Sequence, residues 1–261
     1  MTKKLLSMAA IALAGGIFSC QTEDGVVSKN EVSPEALAKI SQMGLSTQDV
    51  KAMDGGYLVE GDIMLHDHDL NGGHDGKYLV IAREEQYRTT NLVSGPRVIG
   101  VSISNKLPSS YVAALDEALG RYNAQNLALT FQRVSSGADI SLVSGRGNYL
   151  ASAGFPTSSG DPYGQVKINA KAIGDQPQST VATIMAHEIG HCIGFRHTDY
   201  MNRSYSCGGS AVNEGASTVG AIHIPGTPTG PDSGSWMLAC IGSGQNRPFN
   251  NNDETALSYL Y

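Results

Sequence analysis

Three of the seven histidines of this chain fall within the stretch HEIGHCIGFRHTD, residues 187–199. His187 and His191 are four residues apart, so on a helix their rings leave the same face about one turn apart. Neutral imidazole is a good ligand for Zn²⁺, and two rings at this spacing can reach one ion. The spacing therefore predicts a zinc site on a helix.

A third ligand requires the helix to end. His197 lies too far along a continuing helix to approach the same ion at a suitable angle. Gly194 stands where the helix is expected to stop, because glycine readily adopts the left-handed backbone of a helix C-terminus. The turned chain would return His197 to the ion. Three protein ligands would leave one position for water, which is typical of a catalytic zinc site.

Glu188 follows the first ligand, so its side chain is expected to leave the ligand face and point toward that water. A carboxylate there can take a proton as water attacks a carbonyl, and then pass it to the leaving amine. Zinc would lower the pKa of the water to about 7. The alternative is a set of ordinary helix histidines. It is disfavoured because all five fixed positions of HExxHxxGxxH occur together, after the apolar segment STVATIMA.

The elements around this motif alternate in type. Predicted strands cover residues 97–104, 127–134, 138–145 and 164–170, and predicted helices cover 109–125, the motif from about Ser179, and 251–261. This order favours a sheet backed by two helices. Residues 151–164 and 198–236 carry few periodic signals.

The N-terminal third of the chain has a different organisation. Residues 33–44 predict a helix capped by Ser33, residues 56–65 and 77–82 predict two strands of a hairpin, and residues 83–95 predict a polar linker. We therefore expect a signal peptide over 1–19, a pro-segment with its linker over 20–92, and a catalytic domain over 93–261.

The first residues are typical of a targeting segment. Lys3 and Lys4 precede an apolar run from Leu5 to Phe18 that is short for a membrane span and suits a signal-peptide core. IFSC, residues 17–20, resembles a bacterial lipobox, in which Cys20 would become the lipidated first residue. An ordinary secretory signal is the alternative, and both predict export, to the cell envelope or beyond it. A lipid anchor at Cys20 would be the only expected membrane contact.

The composition limits the classes of partner that the chain is expected to bind. The net charge of −6 and the 16% of charged residues give no basic patch for nucleic acid, and we expect a monomer. Beyond Cys20 the cysteines are Cys192, Cys207 and Cys240, which allow one disulfide, and Cys207 could pair with either of the others.

A calcium loop is suggested by DHDLNG, residues 67–72, but is not supported. The twelfth position of such a loop should be a bidentate Glu and is Tyr78. The neighbouring His66, His68 and His74 add metal-binding side chains, but a solvated turn is favoured.

The zinc motif resembles that of the metzincin metallopeptidases. Its particular residues, HEIGHCIGFRHTD, resemble those of the bacterial HEIGH metallopeptidases. GSWML, residues 234–238, offers Met237 for the Met-turn of metzincins. Residues 153–170 resemble the segment along the substrate cleft in matrix metalloproteinases, and residues 249–261 resemble their closing helix. The resemblance covers about residues 97–261.

The resemblance implies an α+β fold with a twisted, mostly parallel five-stranded sheet backed by two helices, a zinc-site helix, a Met-turn and a closing C-terminal helix. It implies a zinc endopeptidase acting on proteins or peptides, with one Zn²⁺ held by His187, His191 and His197. The rival hypothesis is a non-catalytic zinc-containing surface lipoprotein used for binding. It would be expected to lack Glu188 or a ligand, and none is lacking.

Two positions depart from the subgroups of that family. Leu238, Ala239 and Cys240 follow Met237 where the astacin group has a Tyr, and neither Tyr200 nor Tyr205 is marked as its substitute. Thr198 follows the third histidine where astacins have Glu and adamalysins have Asp.

VEGDIML, residues 59–65, resembles the FxGDI motif of astacin pro-segments, with Val59 in place of Phe. In that motif the aspartate binds the catalytic zinc instead of water, so the resemblance implies Asp62 as a zinc ligand in a latent form. Gly61 would let the backbone approach the metal closely. The alternative is a strand that ends in a turn with Asp62 solvated. Activation would need a cut in the linker, expected near Arg88.

Overall fold

The structure is a computed structural model that describes residues 32–67, 69–71, 86–216, 219–228 and 231–261. The predicted signal peptide with Cys20, the strand over 77–82, and His68, His74 and Tyr78 lie outside the described residues. Within these ranges, no helix is long and apolar enough to cross a membrane.

The described part of the chain contains α-helices and strands in a mixed order. The helices are α1 Pro34–Gln42, α2 Ser110–Asn123, α3 Ala170–Ile173, α4 Gln178–Ile193, α5 Ser204–Cys207 and α6 Asn251–Leu260. The strands are β1 Lys51–Met53, β2 Gly56–Val59, β3 Ile63–His66, β4 Tyr87–Arg88, β5 Arg97–Ile103, β6 Leu129–Arg133, β7 Ile140–Ser144, β8 Ala151–Ser152, β9 Gln165–Ile168 and β10 Ile222–His223.

The largest sheet has five strands in the order β6-β5-β7-β9-β8. The first four run parallel, and β8 is antiparallel to β9 at one edge. This confirms the mostly parallel sheet and the mixed α+β class. Strand β8 lies in a stretch expected to be irregular, because two residues are too few to produce a periodic signal.

Helix α4 is the central element of the core. Every residue from Thr180 to Ile193 is buried, and α2 packs against it. The Tyr122 hydroxyl of α2 donates to the carbonyl of Ala186 at 2.7 Å. The helix ends at Gly194, whose φ of 113° and ψ of 12° lie in the left-handed region. The chain therefore turns sharply between the second and third histidines of the motif.

The expected single strand over 56–65 is wrong. Strands β2 and β3 are separate and pair antiparallel, with β1 on the other side of β2. The chain reverses at Glu60 and Gly61, whose φ values are 54° and 91°. Apolar residues flank this turn on both sides, so the sequence pattern runs through it without interruption. The reversal places Asp62 at the tip, directly before β3.

The expected polar linker over 83–95 is partly buried where the structure describes it, over residues 86–95. Gln86, Tyr87, Thr89 and Val93 are buried, and β4 pairs with β10. The Thr89 amide donates to the carbonyl of Gly194 at 2.8 Å. The polar composition is misleading here because these polar groups bind the main body of the protein instead of water.

Candidate metal centre

Three imidazoles converge at the end of α4. The Nε2 atom of His191 lies 3.0 Å from Nε2 of His187 and 3.2 Å from Nε2 of His197. All three residues are buried. The helix supplies two of the rings from one face, and the turn after Gly194 returns the third.

Backbone carbonyls fix the orientation of the two helical rings. Nδ1 of His187 donates to the carbonyl of Trp236 at 2.9 Å, and Nδ1 of His191 donates to the carbonyl of Phe195 at 2.8 Å. A carbonyl oxygen can only accept, so in each ring Nδ1 carries the hydrogen and Nε2 carries the lone pair. These lone pairs point at one another, which is unfavourable unless a cation lies between them.

The separations fit such a cation. Metal–nitrogen bonds of 2.0–2.1 Å in tetrahedral geometry put neighbouring ligand nitrogens roughly 3.3 Å apart. The observed 3.0 and 3.2 Å are close to that value. The imidazole arrangement of the chain therefore suits a metal ion without rearrangement of the ligands.

Asp62 completes the ring of ligand atoms. Its Oδ2 lies 3.0 Å from Nε2 of His197 and 3.5 Å from Nε2 of His187. One ligand atom from each of the three histidines and Asp62 lies within 4.8 Å of the others. Burial would raise the pKa of Asp62, but the neighbouring imidazoles hold that pKa well below its usual range. The alternative of a solvated Asp62 is wrong, since the residue is only 8% exposed.

Backbone pairing holds Asp62 in this position. Ile63 forms a parallel bridge with Ala153, just beyond β8 at the sheet edge. The Ala153 amide donates to the carbonyl of Asp62 at 2.9 Å, and the Met64 amide donates to the carbonyl of Ala153 at 2.7 Å. The segment 62–64 thus lies along the edge of the five-stranded sheet.

A buried ion pair holds the same turn from its other side. Glu60 accepts from Nη2 of Arg196 at 3.1 Å, and both side chains are almost fully buried. The Ser46 amide donates to the other carboxylate oxygen of Glu60 at 3.1 Å. The residue directly before the third histidine is therefore bound to the N-terminal region.

Glu188 is buried beside the metal centre. Its Oε2 has no hydrogen-bond partner among the described residues. Burial, and secondarily the nearby Asp62, raise the pKa of Glu188 well above its usual value. A buried carboxylate with an open oxygen can take up a proton close to the imidazoles.

Met237 packs against α4 at Gly190, which lies between the two helical histidines. It is fully buried, and a Cβ on Gly190 would lie only 2.7 Å from its sulfur. The Thr198 amide donates to the carbonyl of Met237 at 3.0 Å. The GSWML segment therefore contacts both α4 and the chain that follows His197.

Glu214 was not found by sequence reasoning. It is fully buried, and its carboxylate accepts from Nδ1 of His197 at 2.8 and 3.0 Å. Nε of Arg203 lies 3.1 Å away and Nη2 of Arg196 lies 3.6 Å away. Glu214 follows an irregular glycine- and serine-rich stretch with no motif around it, so no signal in the sequence could have indicated it.

An open cavity of about 250 Å³ adjoins the centre, and His187, Glu188 and Asp62 are among the residues that line it. Tyr200 and Tyr205 are not among them. Tyr200 is buried against Tyr87, with ring centroids 4.4 Å apart, and Tyr205 is 46% exposed.

The cysteine pairing left open by the sequence is resolved in the structure. Cys207 and Cys240 form a disulfide, and Cys192 is a buried free thiol. The disulfide ties α5 to the wall of the cavity, which Cys240 lines.

The fold and the centre are those of a metallopeptidase. The family described as dual-action HEIGH metallo-peptidase matches residues 73–261, and the chain belongs to it. Two solved structures of myroilysin are similar to the chain. One is 17% identical with a TM-score of 0.44, covering 66% of this chain and 96% of myroilysin. The other is 15% identical with a TM-score of 0.43, covering 66% and 86%. No curated protein matches the chain.

Proposed function

We propose that the chain is a zinc-dependent endopeptidase of the metzincin type, made as a latent proform. The observation that carries the proposal is the convergence of three buried Nε2 atoms beside Glu188, one of whose carboxylate oxygens has no hydrogen-bond partner among the described residues, at an open cavity. Membership of a metallopeptidase family supports it, and its substrates would be proteins or peptides.

Each residue of the centre has a role in this proposal. His187, His191 and His197 would hold the zinc, and Met237 would support them from below as the Met-turn residue. When bound, zinc would supply Lewis acidity and an activated water. Glu188 would accept a proton from the nucleophile and deliver it to the leaving amine.

The edge of the five-stranded sheet offers a place for substrate. An extended peptide can add to a sheet edge through main-chain hydrogen bonds. In the structure the chain's own segment 62–64 pairs with Ala153 at that edge. The N-terminal region therefore occupies both a ligand position and the peptide track, which supports a latent form.

The burial of Gln86 supports a revised boundary for the catalytic unit. The Gln86 side chain donates to Ser235 at 3.2 Å, within the segment that carries Met237. A cut at Arg88 would remove this contact and break the pairing of β4 with β10. We therefore place the activating cut before Gln86 instead of near Arg88. Export through the predicted signal, with lipidation of Cys20, remains part of the proposal.

The catalytic role is tested by Glu188→Ala. We expect the variant to bind zinc as wild type does and to lose casein cleavage, because the imidazoles are unchanged and the proton acceptor is gone. Both proteins are compared after the same activating proteolysis, with zinc content measured on each. A chelator should abolish wild-type activity, and added zinc should restore it. Cleavage by Glu188→Ala at the wild-type rate would refute the mechanism.

The rival function, a zinc-containing surface lipoprotein used only for binding, has no observation in its favour. Its signature would be a processed protein that contains zinc and cleaves no protein, either with or without a chelator.

A further inference from the structure

The cavity beside Glu188 is lined by a cation that makes no direct ion pair in the described part of the chain. Arg247 lines it together with apolar side chains that include Ile184, Leu238 and Ile241. The guanidinium is half-buried, and it donates to the carbonyl of Cys240 at 2.8 Å and to the Gln245 amide oxygen at 3.0 Å. Both acceptors are uncharged, and within the described residues Arg247 makes no ion pair.

Among the described residues, no nearby carboxylate contacts the guanidinium of Arg247 directly. Asp199 influences Arg247 electrostatically, but its two oxygens accept from the Ala239 amide at 2.9 Å and from the Ser206 hydroxyl at 2.6 Å. Asp199 does not line the cavity; the carboxylates that do are Asp62, which belongs to the metal centre, and Glu188. Asp199 therefore acts on Arg247 without a direct contact, and the guanidinium can still form a direct ion pair with a ligand.

The position of Arg247 relates it to the reacting bond. Its amide donates to the Thr183 hydroxyl at 3.1 Å, and Thr183 lies four residues before His187 on α4. Four residues of helix rise about 6 Å. The backbone of Arg247 therefore lies about one helical turn from the first histidine of the motif, and its side chain lines the same cavity as His187 and Glu188.

We propose that Arg247 makes this cavity selective for a carboxylate on the residue that follows the scissile bond. The inference rests on the proposed peptidase function and adds its substrate class. The carboxylate can be an Asp or Glu side chain within a chain, or the terminal carboxylate of a short peptide. Apolar walls strengthen a charge-assisted hydrogen bond because they exclude water from it.

Binding is tested first, because it needs no turnover. The full chain is titrated calorimetrically with N-acetyl-aspartate N-methylamide and with the isosteric asparagine compound. Trp236 lines the cavity and is the only tryptophan of the chain, so its fluorescence gives a second readout. We expect the acid to bind about tenfold more tightly than the amide. N-acetyl-alanine and its amide test the terminal carboxylate in the same way.

Variants assign the preference to Arg247. Arg247→Met should abolish the difference between acid and amide, and Arg247→Lys should keep most of it. Arg133→Met is the matched control, because Arg133 pairs with Asp116 on the exposed strand β6. Equal binding of acid and amide in wild type, or a preference that persists in Arg247→Met, would overturn the proposal. If Arg247→Lys keeps the preference, the loss in Arg247→Met reflects the missing charge and not misfolding.

Cleavage separates this inference from the proposed function. Blocked peptides that differ only in Asp, Asn or Leu after the scissile bond are compared by kcat/KM with processed enzyme. We expect the Asp peptide to be preferred by about tenfold over the Asn peptide. Cleavage of all three at equal rates would overturn the role of Arg247 and leave the peptidase intact. Failure to cleave any peptide would count against the peptidase, and the binding experiment would still decide the role of Arg247.

Discussion

Replacement of Glu214 should weaken metal binding although Glu214 is not itself a ligand of the centre. Its carboxylate accepts from Nδ1 of His197, whereas the other two imidazoles are held by backbone carbonyls that no substitution removes. His197 also follows the helix end and lacks the support of α4. We therefore expect Glu214→Ala to let this ring rotate away from the ion.

The magnitude follows from the partners of the carboxylate. Loss of an outer hydrogen-bond partner of a metal-bound histidine typically costs 10- to 100-fold in metal affinity, and we expect about 30-fold for Glu214→Ala. Removal of one member of a buried ion pair costs about 3–5 kcal/mol of stability. Arg196 keeps Glu60 at 3.1 Å, and Arg203 is 21% exposed and can be partly rehydrated. We therefore expect Glu214→Ala to lower the free energy of unfolding by about 3 kcal/mol, the lower end of that range.

The assay is competition for zinc between the protein and a chromophoric chelator, with urea unfolding of the metal-free protein alongside. Glu214→Gln keeps an acceptor for His197 and should lose less affinity than Glu214→Ala. Glu254→Gln is the matched control, since Glu254 lies on α6 and contacts Gln125 at 3.4 Å. Zinc affinities of both Glu214 variants within about twofold of wild type would refute the reasoning, given the 10- to 100-fold range expected for such partners.

Two further substitutions probe the latent form and the turn. Asp62→Ala should make the uncut chain cleave a short peptide that the uncut wild type leaves intact, with Asp54→Ala as an exposed control. An uncut variant as inactive as wild type would reject Asp62 as the blocking residue. Gly194→Ala should destabilise the protein by roughly 1–3 kcal/mol in urea unfolding, because φ is 113° and the added Cβ would lie 2.7 Å from Leu92. Gly120→Ala, where the Cβ meets no atom within 4 Å, should be neutral or stabilising, and equal losses at both sites would contradict the argument.

Sequence reasoning reached the parts of the centre that depend on local spacing. His187 and His191 share a helix face because of the helical repeat, and Gly194 marks the turn because few other residues adopt its conformation. Four of the five strands of the large sheet were predicted from apolar residues that recur at short spacing, and β8 was missed. The parallel sheet itself was expected only through the resemblance.

The remaining features depend on contacts between distant segments, which no local pattern encodes. Glu214 reaches His197 across 17 positions of irregular chain. Gln86 looks like part of a polar linker until Ser235 is seen to bind it. The split of β2 from β3 was missed because Glu60 takes a positive φ in the middle of an apolar run, which sequence pattern does not predict for that residue type.

The turn between β2 and β3 has attachments that do not depend on the side chain of Asp62. Glu60 binds Arg196, and a Cβ on Gly61 would lie 2.9 Å from the guanidinium of Arg203, so the turn packs closely there. The backbone of 62–64 also pairs with Ala153. In Asp62→Ala these contacts remain, so the metal position is opened while the sheet edge stays occupied. The uncut variant should therefore act on short peptides much better than on casein, and the cut variant should act on both. Equal activity of the uncut and cut variants on casein would show that the sheet-edge pairing does not obstruct substrate.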